Sequence, residues 1–182
     1  MYYKFTAKLF ISLLFLMAVS CNDPDKDENW GAFVLSSEFD FTSSSIVGYN
    51  FELKTYKRFP SGDDPVPDII LDKYTLPGGE IFPGFSSPSN DAGFALVSES
   101  GALVEALEFF DTYQEFNPAT ALSPSTDTIK KFQVWVLKNS MENYIKMVVK
   151  DILYLQNVSG DYIKVSIEYY HQDDGTPFFE KK

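Results

Sequence analysis

The amino-acid sequence predicts a mainly β fold, built on an antiparallel sheet with one short α-helix. Phe, Tyr and Trp supply 16% of the 182 residues, and aromatic side chains favour strands over helices. Several segments alternate apolar and polar residues, which is the pattern of a strand with one buried face. Only one segment repeats apolar residues at helical spacing. We therefore expect one β-rich domain over residues 30–182.

The first half of that domain contains strands separated by turn-forming residues. In the longest of them, Tyr49, Phe51 and Leu53 would share one face. Pro60–Asp68 is dense in Pro, Gly and Asp, which predicts a surface loop. The strands are predicted at Trp30–Leu35, Ser37–Phe41, Ile46–Phe59, Ile69–Leu71 and Glu80–Phe82.

One helix is predicted over about residues 99–116. Ser98 or Ser100 would cap its start, and Asn117 followed by Pro118 would stop it. Its apolar face would consist of four residues at helical spacing, Leu103, Leu107, Phe110 and Tyr113.

The last fifty residues have the strongest β pattern. The segment FQVWVL, from Phe132, predicts a strand, and NYIKMVVKDILYLQN predicts a second strand with a break near Lys150-Asp151. A turn over Val158–Asp161 would join it to the final strand as a hairpin. In that final strand four apolar residues face one way, Ile163, Val165, Ile167 and Tyr169.

The only cysteine, Cys21, follows an apolar run at the N-terminus. Lys4 and Lys8 precede the run, which covers the 11 residues Leu9–Val19 and is too short for a spanning helix of about 20 residues. A cationic start followed by a short apolar stretch is typical of a secretory signal peptide. The sequence AVSC resembles the lipobox of bacterial lipoproteins, which implies that residues 1–20 are removed and that Cys21 carries lipid. The alternative is an ordinary secretory signal with an incidental cysteine.

An acid-rich tether follows at residues 21–29. After Cys21 it contains no apolar residue, which predicts a solvated segment outside the core. Acidic tracts behind the lipidated cysteine resemble the export signal of surface lipoproteins in Bacteroidetes, and a plain spacer is the alternative. Several acyl chains on one cysteine give a stable anchor. These resemblances imply a lipid-anchored protein of the outer membrane, exposed at the cell surface or facing the periplasm.

Net charge and missing motifs limit the possible functions. The formal charge of −11 becomes −13 after removal of residues 1–20, which hold two lysines and no acids. Such acidity argues against nucleic acid as a partner, because binding needs an excess of Lys and Arg. His171 is the single histidine, and the sequence contains no nucleophile elbow, P-loop, GxGxxG or HExxH motif. We expect a binding protein and not an enzyme.

One basic stretch interrupts the acidic background. Five lysines stand between residues 130 and 150 against one acid, Glu142. Met141 and Met147 lie in the same stretch, together with Trp135 and Tyr144. Such a surface would suit an anionic planar ligand, with lysines at its carboxylates and aromatic rings stacked on it. The alternative is two ordinary strands with lysines facing solvent and methionine in the core.

The order of these features resembles the HmuY family, haem-binding surface lipoproteins of Bacteroidetes. The C-terminal segment DILYLQNVSGDYIKVSIEYYHQDDGTPFF is similar to the family's closing hairpin. GYNFELKTYKRF is similar to an early strand of the family, with Tyr49 in place of Trp, and GFALVSESGALVEALEFF is similar to the segment after its glycine-rich loop.

The resemblance implies projecting hairpins that grip haem, an outer-membrane receptor as partner, and two axial ligands that are His or Met. Met141 falls near the second ligand, whereas residues 60–130 contain neither His nor Met, so His171 is the other candidate. The competing function is an interaction lipoprotein that binds a protein or a glycan without haem. The residues implied for haem are Met141, Tyr144, Trp135, Lys138 and Lys146.

Overall fold

The computed structural model describes residues 29–60, 64–89 and 92–180, and within these ranges the chain forms nine strands and one helix. The predicted mainly β fold is confirmed. The predicted signal peptide, Cys21 and most of the tether lie outside the described residues. The elements are β1 (Trp30–Asp40), β2 (Ser45–Asn50), β3 (Thr55–Phe59), β4 (Ile70–Thr75), β5 (Ile81–Ser86), β6 (Gly93–Glu99), α1 (Leu103–Thr112), β7 (Gln133–Lys138), β8 (Tyr144–Asn157) and β9 (Gly160–Gln172).

Seven strands form one large antiparallel sheet, in the order β3-β2-β1-β9-β8-β7-β6. Two meanders, β1 to β3 and β6 to β9, join where the first strand pairs with the last, from Trp30 opposite Tyr170 to Ser36 opposite Lys164. Strands β4 and β5 form a separate two-stranded sheet, which the sequence did not predict.

Apolar side chains fill both faces of the large sheet. The first core lies between this sheet and the β4–β5 hairpin and includes Phe33, Phe85 and Trp135. The second core lies between the sheet and α1 and includes Phe110 and Tyr170. The predicted alternation of the last strand is confirmed, because all four of its apolar residues are buried in the first core, namely Ile163, Val165, Ile167 and Tyr169.

The β8–β9 hairpin is the longest in the fold and has the predicted turn. Asn157 pairs with Gly160, so Val158 and Ser159 form a two-residue connection. The Asn157 side-chain oxygen accepts the Ser159 N–H at 2.7 Å. The break expected near Lys150 is a register shift between Val149 and Asp151 within one continuous strand, because an extra residue can be accommodated as a bulge.

The prediction of one strand over Ile46–Phe59 is wrong. Strands β2 and β3 are separated by a turn, in which the Asn50 side-chain oxygen accepts the Leu53 N–H at 2.9 Å. Lys54 closes the turn with a φ of 49°. Tyr49 and Phe51 are buried as expected, but the turn leaves Leu53 49% exposed. The two strands expected between Trp30 and Phe41 are the single strand β1.

Helix α1 is shorter than predicted at both ends. Residues Ser98 and Glu99 belong to β6, and the N-cap residue is Ala102, which makes no side-chain capping bond. The helix ends at Thr112, before the predicted stop. Phe110 is buried, whereas the other predicted apolar positions are half-buried. No helix within the described ranges is long and apolar enough to cross a bilayer.

The β8–β9 turn generates the first testable prediction. Gly160 has a φ of 118°, a conformation that disfavours any residue with a Cβ, although a Cβ there would meet no atom within 4 Å. We expect Gly160→Ala to lower the free energy of unfolding by about 1–2 kcal/mol, measured by urea denaturation. Gly101→Ala is the matched control, because its Cβ would also meet nothing and its φ is not positive. Equal stability of the two variants would contradict the assignment of strain to Gly160.

Candidate functional site

The residues predicted to bind haem lie around the β7–β8 hairpin but do not share a surface. Alternate strand residues point to opposite faces of a sheet. Trp135 is therefore buried in the first core, while Tyr144 and Lys146 are buried on the second-core side. Met141 lies in the β7–β8 turn and is 60% exposed. Met147 is completely buried in the first core.

Lys146 is fully buried, with 0% exposure, and contacts the end of α1. Its ammonium donates a hydrogen bond of 2.9 Å to the carbonyl of Tyr113, the C-cap residue of the helix. A cation at a helix C-terminus is favourable because the helix dipole is negative there. Burial lowers the pKa of Lys146 to about 8, and the Asp111 carboxylate acts in the opposite direction. Four aromatic rings surround the ammonium at 4.8–5.9 Å, those of Trp30, Phe110, Tyr170 and Phe179.

Lys138 is the last residue of β7, before the turn that contains Met141, and is half-buried. It forms an ion pair of 3.0 Å with Glu142 and lies 5.8 Å from the Tyr144 ring centroid. The Asn139 side-chain oxygen shapes the turn by accepting the N–H groups of Met141 at 3.1 Å and Asn143 at 3.0 Å. Of the five residues predicted to bind haem, only Met141 and Lys138 are not buried.

His171 is buried at 2% exposure and lies on the first-core face of β9. Burial lowers the pKa of its imidazole, so the neutral form is favoured. Its Nε2 atom has no hydrogen-bond partner, and the ring centroid is 6.3 Å from that of Phe51. Within residues 29–60, 64–89 and 92–180 the structure contains no group of three His, Cys, Asp or Glu side chains that could hold a metal.

The two ends of the large sheet differ in character. We call the end with Trp30 and the β7–β8 turn (residues 139–143) the proximal end. The end with the β8–β9 turn, Val158 and Ser159, is the distal end. The register between β1 and β9 fixes this arrangement, because β1 runs from Tyr170 towards Lys164. At the proximal end the His171 N–H donates to the Asn29 carbonyl at 2.8 Å.

The distal end displays aromatic side chains beside shallow clefts. Phe41 is 67% exposed and Tyr154 55%. One cleft, of about 140 Å³, lies between the end of β1 and the β8–β9 turn, and a second of about 310 Å³ lies between Ile81 and Tyr154. A third, of about 480 Å³, is lined by Tyr74, Leu76, Phe82, Ser125, Thr126, Asp127 and Thr128.

We call the cleft of about 480 Å³ the Tyr74 cleft. Lys73 links it to the distal end, because its ammonium donates to the carbonyl of Asp161 after the β8–β9 turn. Tyr74 and Phe82 are direct cross-strand partners in the β4–β5 hairpin. Burial raises the pKa of the Tyr74 hydroxyl, and the carboxylates of Asp72 and Asp127 raise it further.

No family model matches the sequence, and no curated protein matches it either. The resemblance to the HmuY family therefore stays a prediction, and so does the part that Met141 and its neighbours play in haem binding.

Sequence reasoning missed the Tyr74 cleft. The residues that line it come from β4, β5 and the segment 125–128, which are far apart in the chain. One local signal was present: Gly84 follows Pro83 within an apolar strand, and glycine in a strand often marks a close approach. A Cβ atom on Gly84 would collide with the Tyr74 ring.

The environment of Lys146 generates the second prediction. Lys146→Met keeps the length of the side chain and removes a buried charge, so we expect it to retain most of the stability. Lys146→Ala leaves a cavity among the rings and should lower the free energy of unfolding by about 2–4 kcal/mol. Denaturation at pH 7.5 measures both effects. Equal losses in the two variants would show that the ammonium itself is required.

The pH dependence checks the same residue. The unfolded pKa of 10.5 exceeds the folded value of about 8, so the unfolded chain binds more protons between these values. This group therefore makes the wild type more stable as pH rises from 8 to 10.5. Lys146→Met lacks that gain, and the stability difference between variant and wild type should shift in favour of the wild type over that window.

Proposed function

We propose that this chain is a lipid-anchored, non-enzymatic binding protein that presents its ligand surface at the distal end of its sheet. The observation that carries the proposal is the separation of the two ends. The described chain starts at the proximal end, next to His171, while the exposed aromatic residues and the clefts lie at the distal end. An anchor at Cys21 would therefore leave the distal end facing away from the membrane.

The dimensions support this orientation. Asn22–Asn29 contains eight residues, which span at most about 28 Å when extended. Strand β8 runs from the proximal to the distal end over Tyr144–Asn157, a length of about 43 Å at 3.3 Å per residue. The proximal end would stay near the bilayer, and the distal end would lie tens of ångströms further out.

The chemistry of the distal end supports binding. Aromatic side chains with a few placed polar groups are typical of ligand sites, and Tyr74, Phe82 and Asp127 supply two aromatic rings and a polar group in one cleft. Exposed tyrosines on a shallow face favour the glycan- or protein-binding alternative over an enclosed haem pocket. One observation supports haem capture: Met141 is exposed in the turn that follows Lys138.

A distance measurement tests the proposed orientation. Lipidated Cys21 leaves no free thiol in the mature chain, so Ser159→Cys and Ser140→Cys each introduce a single labelling site, at the distal and proximal turns respectively. In vesicles that contain acceptor-labelled lipid, we expect efficient energy transfer from a dye at position 140 and weak transfer from position 159. Equal transfer from both sites would contradict the orientation. Cys21→Ala is the control that should abolish transfer at both sites.

A haem titration tests the Met141 prediction separately. Ferric haem added to the wild type should give a shifted Soret band if the Met141 thioether ligates iron, and Met141→Ala should remove that shift. Met141→His is the matched variant that should keep a ligand at the same exposed turn. Identical spectra for wild type and Met141→Ala would exclude Met141 as the ligand.

A further inference from the structure

We propose that the Tyr74 cleft binds a neutral oligosaccharide. The inference deepens the proposed function, on which it rests, by naming the ligand class of one distal cleft. It is carried by a supported aromatic ring, a set of polar groups fixed by the backbone, and the charge of the lining.

The Tyr74 ring is supported by the glycine of the neighbouring strand. One edge of the ring lies against Gly84, where a Cβ atom would overlap it. The residue is nevertheless 40% exposed, so part of the ring remains accessible to solvent in the cleft. Sugar rings present axial C–H groups that pack on such aromatic faces. The absence of a side chain at position 84 therefore leaves the space that the Tyr74 ring occupies on the hairpin.

The polar groups of the cleft are held by backbone hydrogen bonds on both sides. The Thr126 N–H donates to the Phe85 carbonyl at 2.8 Å, and the Ile129 N–H donates to the Pro83 carbonyl at 2.9 Å. The Thr126 hydroxyl in turn accepts the Phe85 N–H at 2.8 Å. Residues 127–128 lie between these anchors and are exposed. The backbone that carries Asp127 and Thr128 is thus fixed before any ligand arrives, which reduces the ordering cost of binding.

The charge of the lining selects against anionic ligands. The seven side chains that line the cleft include one carboxylate and no Lys, Arg or His. A second carboxylate, that of Asp72, acts on the Tyr74 hydroxyl from the same side. Sugar hydroxyls can donate hydrogen bonds to carboxylates, whereas a phosphate, a carboxylate or the propionates of haem would be repelled. A volume of about 480 Å³ falls within the range of small-ligand sites.

Affinity electrophoresis with the soluble, non-lipidated chain tests the inference. The probes are yeast mannan, laminarin, amylopectin and xyloglucan as neutral polysaccharides, polygalacturonate as the anionic control, and an array of neutral microbial, plant and animal glycans. We expect retardation by at least one neutral polysaccharide or a signal on the array, and none by polygalacturonate. The absence of binding to every neutral probe would overturn the inference, and so would a preference for polygalacturonate.

Variants assign the binding to the cleft. Tyr74→Ala should weaken it at least tenfold, Tyr74→Phe less than threefold because the ring remains, and Asp127→Asn about fivefold to tenfold. Tyr154→Ala is the matched control, since Tyr154 is an exposed distal tyrosine outside this cleft. Binding unchanged in both Tyr74→Ala and Asp127→Asn would overturn the proposed site. If Tyr74→Ala does not fold, the exposed Asp127→Asn decides the matter alone.

The two proposals fail in different ways. The glycan test uses protein without a lipid anchor, so a negative result leaves the energy-transfer measurement on vesicles unaffected. Equal transfer from positions 140 and 159 would remove the orientation while leaving glycan binding intact.

Discussion

The pairing of the first strand with the last is the constraint on which the rest of the structure depends. Seven consecutive residue pairs join β1 to β9, about 130 positions apart in the chain. Without this ladder the β1–β3 and β6–β9 meanders would each expose an unpaired edge, which is prone to aggregation. Closing so long a loop has an entropic cost, which the burial of Phe33 and Leu35 in the first core offsets. The same ladder decides which end of the sheet carries the N-terminus.

Local features of the fold could be predicted from the sequence, and features that depend on distant partners could not. The β8–β9 hairpin is local, since its alternation and its turn lie within thirty consecutive residues. The turn between β2 and β3 was missed because alternation continues through it, and the Asn50 side chain, not a Gly-Pro signal, forms it. The sequence predicts Lys146 as a surface lysine, because the partners that bury it come from three remote segments. These partners are Trp30, Phe110 and Phe179.

The same distinction explains the candidate site. The sequence predicts Trp135 and Lys146 on one surface because they are close in the chain. In the structure the two-residue period of the strands directs their side chains to opposite cores. Tyr74 and Asp127 are separated by more than fifty residues and meet only because the segment after α1 returns along β5. Neither composition nor residue spacing predicts contacts between segments so far apart in the chain. Only single residues, such as Gly84, indicate them.

Shallow clefts suit a protein that is displayed on a membrane. An open cleft removes little ligand surface from water, so a single contact is weak. Anchored copies meet a polymer with repeated units many times, and each further contact is intramolecular, which multiplies the affinity without new interactions. The formal charge is −11 for the whole sequence and −13 without residues 1–20, and repulsion between such charges opposes aggregation of a surface that exposes Phe41 and Tyr154. Under the proposed function, weak aromatic sites at the far end of an anchored domain are therefore sufficient for capture, and a deep pocket is not needed.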